Sequence, residues 1–248
     1  ALSWSGRRQG QDLVLKFLEH TAGIRSALDA QGLWDDTDGM FYDRLITPSG
    51  YAVPVKTRSM VSIIPALASM VIDGATLQQA MTLNKTFTRF LRKEGVEDIQ
   101  KLAQTPQMRG EGAGQRLLVS VARPAQLERL FAKLFDESEF LSPHGLRALS
   151  AYHLQHPYSF DAEGYQSSIN YEPAESTTPM FGGNSNWRGP IWMPVNYLLI
   201  ESIRKFHSYY GDDFSVECPV GSGDMLTLRE VADELSARLS RLFLRDDS

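Results

Sequence analysis

The sequence holds a single cysteine, Cys218, among 248 residues. That excludes an internal disulfide framework and a cysteine-based zinc site, and it fits a reducing compartment, so a cytoplasmic location is expected. There is no basic block, and the net charge is −5. A nucleic-acid partner is therefore not expected. No apolar run is long enough for a membrane span, and no basic-then-apolar N-terminus marks a signal peptide. Glycine-rich stretches are few. The one at Val220–Asp224, "VGSGD", follows no apparent strand and lacks the lysine of a phosphate loop, so it reads as a linker. No G-x-S-x-G nucleophile elbow occurs. What remains is ordinary for a globular chain, with 42% apolar and 22% charged residues.

Periodicity points to helices. Leu13, Phe17, Ile24 and Leu28 share one helical face, with Gly32 as a stop signal. Met60, Ile63, Ile64, Leu67 and Val71 form another stripe, ended by Gly74 and interrupted by Pro65. Further helices are expected over 77–91, over 127–135 with Pro124 in the first turn, over 145–156 and over 191–210. Thr227-Leu-Arg-Glu230 is a capping box opening a last helix. Pro48-Ser49-Gly50 reads as a hairpin turn. Residues 104–116 have the composition of a mobile loop, and 157–190 form a long aperiodic connection, a length that usually carries function. Without β-α-β alternation, the expectation is a mainly all-α single domain over 1–248, with a small β-hairpin and long loops.

The densest chemistry lies in "GGNSNWRGPIWMPVNY", Gly182–Tyr197. Trp187 and Trp192 offer flat apolar faces on which sugar rings stack. Arg188, Asn184, Asn186 and Asn196 offer hydrogen-bond partners for hydroxyls. The competing reading is a helix start with core tryptophans and an arginine that caps carbonyls. "GLWDDTDGMFYD" holds Asp35, Asp36, Asp38 and Asp43. It reads as an Asp/Gly turn leading into a strand, or as an incomplete calcium loop without the terminal glutamate. Lys56 and Arg58 could bind an anionic group or pair with Asp43. Glu172 and Glu175 are a glycosidase-like carboxylate pair by position only. His153 and His156 form H-x-x-H without a third ligand at a familiar spacing. No metal or other cofactor is expected.

Three segments together resemble the C-terminal catalytic domain of glycoside hydrolase family 63, which includes processing α-glucosidase I and bacterial relatives. They are "GLWDDTDGMFYDRLITPSGYAVPVKTRSMVSIIP", "FLSPHGLRALSAYHLQHPY" and "GGNSNWRGPIWMPVNYLLIESI". The resemblance is strongest to the cytosolic bacterial type. It implies an incomplete (α/α)6 toroid and a parent protein that hydrolyses α-glucosidic bonds with inversion, by a general acid and a general base. It implies a carbohydrate partner and no membrane. By the motif, Trp187, Arg188, Trp192 and Asn196 would line the sugar site, with Arg58 and Arg147 beside it. The family's acid aspartate and base glutamate fall in segments this chain does not contain, so no catalytic residue is assigned. A non-catalytic carbohydrate-binding scaffold and a glycoside phosphorylase are the alternatives. An incomplete toroid would also expose apolar helix faces and favour self-association. The expected outcome is that the purified chain alone releases no glucose from an α-glucoside. Release that Trp187→Ala abolishes would contradict this.

Overall fold

The computed structural model describes residues 8–76, 108–111, 114–172 and 190–244. The helix expected over 77–91, residues 104–107 and 112–113 of the expected loop, Glu175, Trp187 and Arg188 lie outside the described residues. The chain divides into two compact units. One comprises Ala1–Gln31 and Ala68–Pro124; the other comprises Gly32–Leu67 and Ala125–Ser248.

The first unit holds helix α1 (Arg8–Ala30) and a three-stranded antiparallel sheet. The sheet's strands are β5 (Ser69–Asp73), β6 (Met108–Arg109) and β7 (Arg116–Ser120), with β7 central. The expected helix from Met60 is overturned here. It breaks into a 3-10 turn, Met60–Ile63, and a single α-turn, α2 (Ile64–Leu67), and the chain then runs on as β5. Two physical reasons combine. Pro65 removes a backbone donor from the helical ladder, and Val71 and Ile72 sit opposite Leu118 and Leu117 in register, where branched side chains pack well. Helix α1 forms as its spacing predicts, but Phe17 and Ile24 on the expected apolar face are 64% and 40% exposed. The Arg123 guanidinium pairs with Asp29 near the end of α1.

The second unit carries the larger core. Besides the short α2, its helices are α3 (Pro124–Leu134), α4 (Met193–Tyr210) and α5 (Leu228–Ser240). Leu127, Leu130, Phe131 and Leu134 recur at helical spacing on α3, and all are buried. Phe131 stacks on Phe135 at 5.6 Å and meets Phe206 of α4 edge-on at 5.9 Å. The rest is hairpins: β1 (Trp34–Asp35) with β2 (Met40–Phe41), β3 (Asp43–Ile46) with β4 (Ala52–Val55), and β8 (Leu141–Ser142) with β9 (Gly145–Leu146). Two more follow, β10 (Tyr158–Ala162) with β11 (Tyr165–Ile169), and β12 (Ser215–Glu217) with β13 (Met225–Thr227). The β3–β4 turn at Pro48-Ser49-Gly50 is the one the sequence marks. Gly39 closes the β1–β2 turn at φ +69°, beside the Arg129 side chain, where a Cβ would sit 3.1 Å from Nε.

The expectation of a mainly all-α fold is therefore corrected. Among the described residues, thirteen strands in six small antiparallel sheets accompany five α-helices. The segment expected to be helical over 145–156 supplies β9 and a 3-10 turn at Ala151–Leu154, and the connection expected after 157 supplies β10 and β11. The "VGSGD" stretch joins β12 to β13. These strands are short, and each is specified by a partner that periodicity along one segment cannot reveal.

The capping box forms as expected. The Thr227 hydroxyl accepts from the Glu230 backbone N–H, and the Glu230 carboxylate accepts from the Thr227 N–H at 2.8 Å. Thr227→Ala removes one of these bonds and should lower stability by about 1 kcal/mol. Urea denaturation checks this, with a reduced midpoint at unchanged slope as the expected result.

Candidate functional site

The site starts in the β1–β2 turn. Asp35 Oδ1 accepts the backbone N–H groups of Thr37 and Asp38 at 2.9 and 2.8 Å, which folds the turn back on itself. The turn presents Asp38 toward Tyr42, whose hydroxyl donates to Asp38 Oδ2 at 3.1 Å. Burial, foremost, pushes the Tyr42 phenol above its ordinary value. "WDDTDG" is thus an Asp/Gly turn that leads into a strand, with its aspartates engaged in the turn and in ion pairs.

Beyond β4 the chain supplies two cations. Lys56 Nζ lies 2.7 Å from Asp35 Oδ2 and 3.8 Å from Asp38 Oδ2. That hydrogen bond from Lys56 is the main reason the Asp35 carboxyl is held below its ordinary value. Arg58 is 8% exposed. Its Nη2 bonds Asp38 Oδ1 at 2.9 Å, and its Nη1 bonds Glu139 Oε1. The partners of both cations are therefore Asp35, Asp38 and Glu139, and the expected pairing with Asp43 is replaced by these. Asp43 stands exposed at the start of β3.

Glu139 closes the cluster from below. It is 3% exposed. Lys133 of α3 reaches its Oε1 at 2.7 Å, and the Ser150 hydroxyl donates to its Oε2 at 2.6 Å. Three cations (Lys56, Arg58, Lys133) face three carboxylates (Asp35, Asp38, Glu139), so the group is charge-balanced. The Arg58 guanidinium also lies 3.7 Å from the centre of the Tyr152 ring, and Tyr152 stacks on His156 at 4.2 Å.

The first histidine of H-x-x-H, His153, is structural. His153 Nε2 accepts the Arg58 backbone N–H at 2.9 Å, and its Nδ1 faces the His156 carbonyl at 2.9 Å. Those partners place the ring proton on Nδ1 and leave no lone pair for a metal.

One extended run joins this cluster to the tryptophan segment. Leu149 bridges Ser59, Ser150 N–H donates to the Arg58 carbonyl at 2.9 Å, and Met60 N–H donates to the Ala148 carbonyl at 2.9 Å. From the same run, Ala148 N–H donates to the Pro190 carbonyl at 2.8 Å. Asn196, 1% exposed on α4, completes the attachment. Its Oδ1 accepts Leu146 N–H at 2.8 Å, and its Nδ2 donates to the Leu146 carbonyl at 2.9 Å and to the Trp192 carbonyl at 3.1 Å. Gly145, at φ +108°, leaves room for this amide, since a Cβ there would sit 3.0 Å from Asn196 Oδ1. Trp192 is the N-cap residue of α4 and is half-buried.

Arg147 projects from the same run to other partners. Its Nη1 donates to the carbonyls of Glu137 at 3.0 Å and Leu141, and its Nε donates to the Tyr171 hydroxyl at 3.2 Å. The structure thus brings Arg58, Arg147, Asn196 and Trp192 onto one framework. Arg58 and Asn196 are buried and bonded within it, and Arg147 and Trp192 are half-buried. Glu139, Tyr152 and Ser150 complete the cluster; Ser150 and Tyr152 lie in a segment that carries the family resemblance, whereas no motif marks Glu139. Glu139 falls in a polar turn that resembles a solvated loop.

The buried charge cluster is thus tied by hydrogen bonds to the helix start that carries Trp192. Residues 116–218 match the Glycosyl hydrolase family 63 C-terminal domain, the family that the motifs resemble. The match includes "FLSPHGLRALSAYHLQHPY" and the tryptophan segment. The chain is also 38% identical over 254 residues to an uncharacterized protein of Saccharomyces cerevisiae, YMR196W. That alignment covers 96% of this chain, and the chain spans 23% of the length of the yeast protein. Among the described residues, no helix is long and apolar enough to cross a membrane.

Burial, foremost, pushes the His153 imidazole below its ordinary value. The unfolded chain therefore binds more protons than the folded one once the pH falls below about 6.5, the ordinary histidine value. Stability is expected to be lost as the pH drops through that point. His153→Gln keeps an acceptor for Arg58 N–H and removes the titration. Urea midpoints measured between pH 5 and 8 should show a shallower acid limb in the variant.

Proposed function

We propose that the protein containing this chain is an inverting α-glycosidase that acts on α-glucosides, and that this chain supplies part of the wall that binds and orients the sugar. The family match over residues 116–218 supports a carbohydrate substrate. The observation that carries the reading is the attachment of the Trp192 helix start to the buried Arg58 cluster through the run Leu146–Ser150. A sugar site needs flat apolar faces and polar groups that keep their positions before the ligand arrives. Rigid support lowers the entropy lost on binding and holds the glycosidic oxygen near the acid that will protonate it.

The roles divide by access. Trp187, Arg188 and Trp192 are the contact residues, stacking on the ring and bonding its hydroxyls. Arg58 and Asn196, which are buried, hold the wall from behind, and half-buried Arg147 braces it through the Glu137 and Leu141 carbonyls and the Tyr171 hydroxyl. The acid and the base are contributed by other parts of the longer protein. In that mechanism the acid protonates the leaving oxygen while the base activates a water on the opposite face, so the released sugar has the inverted anomeric configuration.

The test is product stereochemistry in the full-length protein. Proton NMR of the first turnovers on an α-glucoside should show β-glucose before mutarotation. Initial α-glucose would refute inversion, and no sugar release from a panel of α-linked oligosaccharides would refute the glycosidase reading.

A further inference from the structure

His207 sits in the last turn of α4, at the opposite end of the helix from Trp192, and is 8% exposed. Its Nδ1 is buried and has no hydrogen-bond partner. The polar contacts of the ring are therefore made at Nε2, and two groups of opposite charge meet there. Arg229 Nη2 of α5 lies 3.0 Å away, and Asp212 Oδ1 lies 3.3 Å away. Asp212 comes within reach because Gly211, at φ +80°, ends α4 and turns the chain.

The two partners make incompatible demands on one atom. A guanidinium has no acceptor, so it bonds Nε2 only where that nitrogen carries a lone pair. An ionised carboxylate has no donor, so it bonds Nε2 only where that nitrogen carries a proton. We propose that His207 is a proton-operated clasp between α4 and α5: uncharged, it holds Arg229 of α5; protonated, it releases Arg229 and bonds Asp212 in the turn after α4. In the charged state both ring nitrogens carry protons, so Arg229 loses its acceptor and faces a like charge, while Asp212 gains an opposite one. Other groups around the ring do not reverse this exchange. Glu230 of α5 also acts on His207 electrostatically, but its carboxylate is held by Thr227 in the capping box and is common to both states. Arg204, one turn back on α4, is paired with Glu201 and Asp233. The α2 segment, which packs on α4, carries no titratable residue, and α3 meets α4 through Phe131. The clasp is independent of the sugar-binding reading.

The experiment is mass spectrometry of deuterium exchange on the full-length protein between pH 5 and 8. Exchange at the imidazole C2 position of His207 reads the titration midpoint of the ring. Asp212→Asn should lower that midpoint by roughly half a pH unit, and Arg229→Met should raise it by a similar amount. Amide exchange in the same samples reads the clasp itself. Corrected for the intrinsic effect of pH, the amides of Val231–Glu234 at the start of α5 should exchange several-fold faster at pH 5 than at pH 8. His207→Gln keeps an acceptor for Arg229 and cannot titrate, so the difference between the two pH values should vanish. A midpoint that either Asp212→Asn or Arg229→Met leaves unmoved overturns the proposal. So does equal amide protection at both pH values in the wild type, or a difference that persists in His207→Gln. If His207→Gln does not fold, Arg229→Met serves as the control: with no clasp in either state, it should exchange at the faster rate at both pH values, and a retained difference overturns the proposal.

Discussion

The buried pairing of Arg58 with Glu139 is the constraint from which the site follows. Taking a guanidinium and a carboxylate out of water costs several kcal/mol per ion, and the attraction between them offsets this only when the remaining donors and acceptors are also satisfied. Here they are. Glu139 is met by Arg58, Lys133 and Ser150, and Arg58 is met by Glu139, Asp38 and the Tyr152 ring. Each partner comes from a different segment: the β1–β2 turn, the run after β4, α3, and the 3-10 turn at 151–154. Any one of them out of place would leave a charge buried alone. The cluster therefore specifies how those segments sit against one another, a larger effect than any net stability it adds.

The run Leu146–Ser150 turns that constraint into a framework. Its backbone bonds the segment of Arg58 and Met60 and also Pro190, while the Asn196 amide bonds both backbone groups of Leu146 as a neighbouring strand would. Arg147 then ties the preceding turn and Tyr171 to the same run. Nothing in this set is strong alone, since a neutral hydrogen bond contributes roughly 1 kcal/mol net. Buried together they act as a unit, because breaking one leaves its partner unsatisfied where water cannot reach. The start of α4 inherits that rigidity, and with it Trp192.

Several features were legible from the chain alone, each because its physics is local. The Pro48-Ser49-Gly50 hairpin, the α3 stripe, α4 and the Thr227 capping box depend on residues a few positions apart. The misjudged segments depend on distant partners. Ser69–Asp73 is a strand because Arg116–Ser120 lies beside it, and Tyr158–Ala162 is one because Tyr165–Ile169 folds back on it. The role of His153 depends on a distant partner too, since its ring accepts a hydrogen bond from a backbone group 95 residues away in sequence. Glu139 was invisible for the same reason.

The sequence by itself determined the family resemblance, the tryptophan-rich segment and the positions of Arg58 and Arg147 in the motifs. Those rest on residue types in a fixed order, which folding does not alter. Only the tertiary structure decided what the polar residues do. It made Arg58 and Asn196 internal supports, left Trp192 with access to solvent, and turned the 145–156 stretch from an expected helix into a strand and a 3-10 turn that link the parts. The physical reason is that burial and pairing are properties of neighbours in space, and a charge or an amide takes its role from what it meets after the chain has folded.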